Sequence, residues 1–339
     1  MVLTVGDLFC GCGGFLDGFR QAGYEVKFGI DIYDKAIETF RHNFNGALAI
    51  NDDIKNVDIG HVPHVDVLLF GFPCKGFSIA GLRDPNDPRS NLYREGLRFL
   101  IVMRPAAFVC ENVEGLLSME DGNVFKRIID DLSSVGYKVV HKLMLASDYG
   151  VPQSRKRVFI VGIRDDIDEK FEFPKKSDDV YTVRDAIQFL PEPKGKFKRF
   201  KRGSEEYETF KKHALKKYCV MSRDDIPNLN EYTRSKHDTM IRAINSRFRQ
   251  GQKLLVIDRP FLTVTENHGN TPIIVIMDDE GLYLRRTTVR EMARAQSFSD
   301  DFEFKGGKTA ALIQLGNAVP PLLAKKIAEQ LLITILGHV

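Results

Sequence analysis

The run Val65-Asp66-Val67-Leu68-Leu69-Phe70 and the octapeptide behind it, Gly71-Phe72-Pro73-Cys74-Lys75-Gly76-Phe77-Ser78, constrain this chain most. An apolar, β-branched run without alternation fits a parallel strand buried on both faces. The glycines and proline around the thiol then predict a sharp turn at the strand's carboxyl end, the edge where open α/β sheets build their sites. A lone cysteine usually packs as a small hydrophobe. What Cys74 does is therefore decided by what else reaches the same edge.

The opening of the chain repeats this grammar. A strand over Thr4 to Cys10 runs into Gly11-Cys12-Gly13-Gly14-Phe15, and a helical pattern follows from Leu16 to Ala22. A glycine-rich turn between strand and helix lets a ligand approach the backbone at the positive helix end. The glycine spacing departs from that of dinucleotide folds. A second strand, Glu25 to Ile30, ends on Asp31, placed to accept hydrogen bonds from ribose hydroxyls. A third, Ala47 to Asn51, ends on Asp52-Asp53-Ile54, where a carboxylate can take a bond from an adenine amino group or serve as a helix N-cap. Glycines, an acid and an acid on three consecutive strand ends describe a pocket for an adenosine-containing cofactor.

Beyond Cys74, the Gly, Asp, Asn and Pro-rich stretch Gly81 to Asn91 has the length of a lid, and a helix is predicted from Leu92 to Met103. The strand Ala106 to Cys110 ends on Glu111-Asn112-Val113, which brings an acid to the edge that carries Cys74. Glu111 stands too far from the next helical pattern, Val124 to Val135, to be its cap. Two more strands, Tyr137 to Leu145 and Val158 to Ile163, flank Gln153-Ser154-Arg155-Lys156-Arg157. Strand alternation puts Arg155 and Arg157 on one face, either as solvated charges or aimed into the cleft at an anionic or carbonyl-bearing substrate.

Composition narrows the class. The chain has 339 residues, 43% hydrophobic and 28% charged, enough for two domains of ordinary soluble character. No apolar run reaches the length of a membrane span, and Met1 to Val5 does not look like a signal peptide, so a cytoplasmic location is expected. Five cysteines, Cys10, Cys12, Cys74, Cys110 and Cys219, form no disulfide framework or zinc pattern, and no metal is expected. A net charge of +3 says little, but Lys194 to Lys217 holds ten basic residues against three acids, with Phe197, Phe200, Tyr207 and Phe210 between them. Beside a base-modifying site such a stretch would contact phosphates.

Taken together, Asp7-Leu8-Phe9-Cys10-Gly11-Cys12-Gly13-Gly14, Pro73-Cys74, Glu111-Asn112-Val113, Gln153-Ser154-Arg155-Lys156-Arg157 and Gly316-Asn317-Ala318-Val319-Pro320-Pro321 resemble the ordered motif series of the cytosine-5 DNA methyltransferases. The likeness spans the chain apart from the middle of 165–259. It implies an α/β fold: a Rossmann-like S-adenosylmethionine-dependent methyltransferase domain over 1–174 plus 299–339, with a smaller target-recognition domain over 175–298. It implies Cys74 as nucleophile, Glu111 at ring nitrogen 3 and the exocyclic amine, and Arg157 at the cytosine carbonyl, with Arg155 supporting the site. Phe9, Gly11 and Gly13 would line the S-adenosylmethionine pocket, Asp31 the ribose and Asp53 the adenine. Cys12, Gly14, Phe15, Ile32, Ile54, Pro73, Leu92, Asn317 and Ala318 would complete it. Ser78, Gln153, Thr263 and Val264 are the expected substrate contacts.

The implied partner is double-stranded DNA, with a cognate restriction endonuclease as functional counterpart, and the implied state is a monomer. Three positions depart from the family's pattern: Lys75 stands where glutamine is usual, Ile32 where some members stack a tryptophan, and Ser299 where proline is common. A cytosine-5 transfer RNA methyltransferase and a non-catalytic nucleic-acid-binding homologue are the alternatives. The first lacks its Cys-Phe-Thr signature here, since the variable segment offers Cys219-Val220-Met221; the second is disfavoured by the presence of Cys74 and Glu111.

Overall fold

The alternation of side chains along buried strands sorts this protein into layers. In the computed structural model, which describes residues 2–73, 92–187, 190, 198–205, 208, 231–233, 254–256, 259–266, 272–278 and 281–337, a seven-stranded sheet forms the centre. Its strands are β1 Thr4–Asp7, β2 Glu25–Asp31, β3 Leu48–Asn51, β4 Val67–Phe70, β5 Ala107–Val113, β6 Tyr137–Leu145 and, after the two-residue β7 Gln153–Ser154 of another sheet, β8 Lys156–Arg164. The spatial order is β3-β2-β1-β4-β5-β8-β6. The five strands β1 to β5 pair parallel, and β8 lies antiparallel to both β5 and β6.

Every residue of β4 is buried. Val67 and Leu69 enter one core with Phe15, Phe19, Phe40 and Leu323, while Leu68 and Phe70 enter the other with Phe99, Leu100, Ile128 and Leu132. Helices α1 Gly14–Gln21 and α2 Asp34–Asn43 thus cover one face, and α3 Tyr93–Met103 and α4 Asn123–Ser134 the other. Parallel strands need this double cover.

Later segments complete the first face. After α5 Val183–Ile187, the strands β9 Lys198–Lys201, β10 Glu231–Thr233, β11 Leu254–Val256, β13 Ile273–Asp278 and β14 Gly281–Arg286 form a second sheet, ordered β10-β11-β13-β14-β9. The short β12, Phe261–Leu262, pairs parallel with β7. Helices α6 Val289–Ala295, α7 Gly307–Asn317 and α8 Pro321–Leu336 follow. Met292, Phe298, Leu315 and Leu331 lie in the same core as Val5 and Leu16. Among the described residues no helix is long and apolar enough to cross a membrane.

Helix α8 packs directly on α1, and the Tyr24 hydroxyl donates to the Ala328 carbonyl at 3.1 Å. A Cβ on Gly18 would stand 2.3 Å from the Pro321 oxygen and 2.5 Å from the Ala324 Cβ. Gly18→Ala gains up to about 1 kcal/mol of helix propensity. Overpacking costs about 1–3 kcal/mol, and with backbone as the obstacle sterics win. The expected result is a lower urea midpoint; a raised one would mean that α8 gives way freely.

One strand is longer than its sequence pattern suggests. Expected over 106–110, β5 continues to Val113 because β8 pairs with it through Val113↔Arg157, so Glu111 sits within the sheet rather than in a loop beyond it. Cys74, Ser78, the stretch Gly81 to Asn91 and most of Lys194 to Lys217 lie outside the described residues.

Candidate active site at the carboxyl edge of the sheet

Strand order reverses at β1, whose neighbours are β2 and β4, and the glycine turn leaves its carboxyl end there. Such a switch point opens a crevice between diverging connections. Gly11 has φ 53° and, among the described residues, nothing within 4 Å of where a Cβ would stand. Gly13, with φ 96°, is the N-cap of α1. The Gly11 N–H donates to Asp31 Oδ2 at 2.8 Å, and the Tyr33 N–H to Asp31 Oδ1 at 2.8 Å. Burial raises the Asp31 carboxyl above its ordinary value, against the pull of the Tyr33, Gly11 and Ile32 N–H groups. Beside it Ile32 is 71% exposed, an apolar surface with no core to join. Asp53 Oδ1 caps the turn Ile54–Asn56 through the Lys55 N–H at 3.1 Å, and no contact is recorded for Oδ2 among the described residues. Phe9 and Leu92 are half-buried against the core that holds Ile54, and Asn317 is exposed.

Other expected pocket residues are placed differently. Cys12, Phe15, Ile54 and Ala318 are buried in the two cores, and Gly14 packs against Val319 and Phe298, so these positions support the pocket from behind and can offer it only backbone. An exposed apolar side chain, an acid held by two backbone donors and an open glycine turn fit an adenosine-bearing group.

The other side of the edge is built on β5 and β8. With Val113 opposite Arg157, period-2 alternation makes Glu111 and Arg157 diagonal neighbours on one face. Arg157 Nε meets Glu111 Oε1 at 2.8 Å, both side chains retaining about an eighth of their surface (13% and 12%). A Cβ on Gly71 would lie 3.5 Å from Glu111 Oε2, so the acid stands over the exit of β4. Asn112, on the opposite face, is buried and donates from Nδ2 to the Phe72 carbonyl at 3.1 Å. It fixes the Gly71-Phe72-Pro73 segment, one peptide bond short of Cys74. Asn112 carried no role in the sequence reading, although a polar side chain beside the acid of an apolar strand was its signal.

Burial pushes the Cys12 thiol up to about 12 and raises those of Cys10 and Cys110 well above their ordinary value. A thiol held protonated is no nucleophile. Of the five cysteines, this leaves Cys74 and Cys219.

Two expectations are corrected. Arg155 and Arg157 do not share a face toward the cleft. Arg155 is 1% exposed, donating from Nη1 to the Val264 carbonyl at 3.0 Å and from Nη2 to the Gly316 carbonyl at 3.1 Å. It lies between β7 and β8, where the alternation assumed from one continuous strand breaks. Gln153 is also wholly buried: its Nε2 donates to the Ala295 carbonyl at 3.2 Å and to Gln296 Oε1 at 2.8 Å, and its Oε1 accepts from the Val264 N–H at 2.9 Å. Both side chains hold Thr263 and Val264 in place rather than face a substrate. Val264 itself is buried, and the Thr263 hydroxyl donates to the Ser154 carbonyl at 2.8 Å.

Arg155→Met leaves two buried carbonyls without their donors. Bonds to a charged group are worth roughly 1.5–3 kcal/mol each, so a loss of about 2–3 kcal/mol after relaxation is expected, measured by thermal unfolding.

At the centre of the edge, Asp7 is buried and accepts from the Phe9 N–H at 3.1 Å. Burial raises its carboxyl from 3.8 to about 7, opposed by that N–H and reinforced by the charges of Asp31 and Glu111. A carboxyl whose folded pKa is the higher one costs stability once ionised. Stability is therefore full below about 4, near the unfolded value, and declines as pH rises through about 7. Asp7→Asn should flatten that decline in urea unfolding across the window; equal slopes in the two proteins would rule Asp7 out as its cause.

Five parallel strands, a reversed β8 and a glycine turn at the switch point define a Rossmann-like α/β fold. The family model for C-5 cytosine-specific DNA methylases matches residues 3–332, and the chain belongs to that family: it is a DNA cytosine-5 methyltransferase. It is 31% identical to the Type II methyltransferase M.MthTI of Methanothermobacter thermautotrophicus, over 98% of this chain and 97% of that one. It is 34% identical to the Type II methyltransferase M1.HphI of Haemophilus parahaemolyticus, over 98% and 87%. Among solved structures, a DNA modification methyltransferase encoded within an E. coli prophage superposes with a TM-score of 0.70 at 23% identity, over 99% and 100% of the two chains. The Dnmt2 methyltransferase of S. pombe does so with 0.64 at 17%, over the whole of both. These two show the fold.

Proposed function

We propose that this enzyme methylates carbon 5 of a cytosine flipped out of a specific double-stranded DNA sequence, through a covalent adduct on Cys74, and that it is the modification partner of a restriction endonuclease. The observation that carries the reading is the Glu111–Arg157 pair over the exit of β4, at the edge that leads to Cys74. Carbon 5 of cytosine is a poor nucleophile. Addition of the Cys74 thiolate to carbon 6 moves the ring's electron pair to carbon 5, and hydrogen bonding of Glu111 at nitrogen 3 lowers the cost of that addition. Arg157 holds Glu111 in orientation and presents its remaining donors to the cytosine carbonyl. Asp31, Ile32, Gly11 and Asn317 would hold S-adenosylmethionine, which supplies an electrophilic methyl group when bound. Loss of the carbon 5 proton then returns an electron pair to the ring and expels the Cys74 thiolate.

A stacked base cannot be reached from the groove, so the target must leave the helix. Thr263, at the rim beside β7, would meet it, and a recognition region over 175–298 would read the sequence around it. The restriction partner is supported by the Type II designation of the relatives.

Bisulfite sequencing of DNA from a methylation-deficient host expressing the chain tests the reading, with Cys74→Ala as control. Methylcytosine at one recurring sequence, absent from the control, is expected. None in the DNA, with soluble protein that binds S-adenosylmethionine, would move the substrate to RNA.

A further inference from the structure

Four contacts, on separate groups, tie the segment at Thr263–Glu266 to the segment at Leu315–Ala318. Arg155 bridges the Val264 and Gly316 carbonyls. Gln153 holds the Val264 N–H and Gln296, and Gln296 Nε2 in turn donates to the Leu315 carbonyl and, at 3.5 Å, to that of Ala318. Gly316 presses on the backbone behind Val264, where a Cβ would stand 2.2 Å from the Glu266 nitrogen and 2.5 Å from the Thr265 carbonyl carbon. Finally, Asn317 Nδ2 donates to Glu266 Oε2 at 3.4 Å. The first three contacts are buried and hold the two backbones together. The fourth lies on the rim.

The geometry points to Glu266 as a positioning residue that couples cofactor binding to capture of the target base. This rests on the reading above, in which Asn317 borders the cofactor and Thr263 the flipped nucleotide. With Nδ2 engaged by Glu266, the Asn317 amide is oriented so that Oδ1, for which no partner is recorded among the described residues, is the atom left for a ligand. A nucleotide that fixes the Glu266 side chain thereby fixes that of Asn317, and a cofactor that fixes Asn317 fixes Glu266 on the rim that would meet DNA. Whichever ligand binds second meets a segment already ordered, so each raises the other's affinity by the same factor.

The test is titration calorimetry with S-adenosylhomocysteine, with and without a duplex bearing the sequence found by bisulfite sequencing. The wild-type enzyme should bind S-adenosylhomocysteine roughly 5- to 150-fold more tightly with the duplex present, the range of ordinary coupling. Glu266→Ala should bring that ratio below about twofold, while affinity in the absence of DNA stays within about threefold and the melting temperature holds. Glu266→Gln keeps an acceptor for Asn317 and should retain most of the ratio. A residue that served only the fold would move melting and leave the ratio alone. The proposal is overturned if Glu266→Ala keeps the full ratio, or if the wild-type ratio is one although both ligands bind. If the wild type binds neither ligand, the functional reading falls and takes the coupling with it.

Discussion

Cys74→Ala abolishes methyl transfer and leaves S-adenosylhomocysteine binding intact: this is the largest effect expected of any single substitution here. Elimination and position both single out Cys74. Cys10, Cys12 and Cys110 are sealed in the cores, where burial holds their thiols protonated. Their loss should be felt in stability rather than chemistry. Cys74 follows Pro73 at the end of a wholly buried strand, and the approach to it is pinned by the Asn112 amide and overlooked by Glu111. Without a nucleophile at carbon 6, carbon 5 never gains the electron density to take a methyl group, and no neighbouring group substitutes for sulfur. The residues proposed to hold the cofactor, Gly11, Asp31, Ile32 and Asn317, are untouched, so binding should persist. The check is a single-turnover assay with radiolabelled S-adenosylmethionine alongside calorimetry; turnover near wild type would remove Cys74 as nucleophile. A duplex with fluorine at carbon 5 of the target offers a second readout. Carbon 5 then has no proton to lose, so the wild-type enzyme should accumulate a denaturation-resistant adduct and the variant none.

The difference between what was legible in the sequence and what was not follows the range of the interactions. Val67 to Phe70, the glycine turn and the acids at strand ends are local patterns: each needs only its own neighbours to declare a strand, a turn or an edge. The Rossmann-like sheet and the gathering of Gly11, Asp31 and Glu111 at one edge followed from those patterns. The supporting role of Arg155 was legible, but the burial of Gln153 and Arg155 was not, because their partners, Val264, Gln296 and Gly316, stand more than a hundred residues further on. No spacing within Gln153-Ser154-Arg155-Lys156-Arg157 tells a buried bridge from a substrate ligand. Ile54 and Phe15 show the same limit from the other side. A position beside a ligand turn can support it from the core, and only the depth of burial tells which. Asp53 caps Ile54–Asn56 through Oδ1, the N-cap role that the sequence left open beside the adenine contact, and the proposed contact would use its other oxygen.

Glu111→Gln is expected to slow the chemical step by roughly 10²- to 10⁴-fold, the range for a positioned acid, while leaving the fold in place. The substitution keeps size and shape, so packing beside Gly71 and within β5 is unaffected. What changes is charge. Glu111 meets Arg157 through a charge-assisted bond at 2.8 Å, and both side chains are largely withdrawn from water. An amide in that place weakens the bond and frees Arg157 to turn, so the cytosine carbonyl and nitrogen 3 lose their orientation together. The amide also cannot exchange a proton with nitrogen 3, and thiolate addition at carbon 6 then builds negative charge on the ring without relief. Arg157→Ala separates the two contributions. If Glu111 acts mainly through proton exchange, Arg157→Ala should be the milder lesion, felt more in KM than in kcat. If the ion pair itself is the catalytic unit, the two single variants and the double variant should be nearly equal, as expected for groups that work together. A single-turnover rate for Glu111→Gln that matches wild type would refute the assignment outright, because no other carboxylate among the described residues stands over the exit of β4.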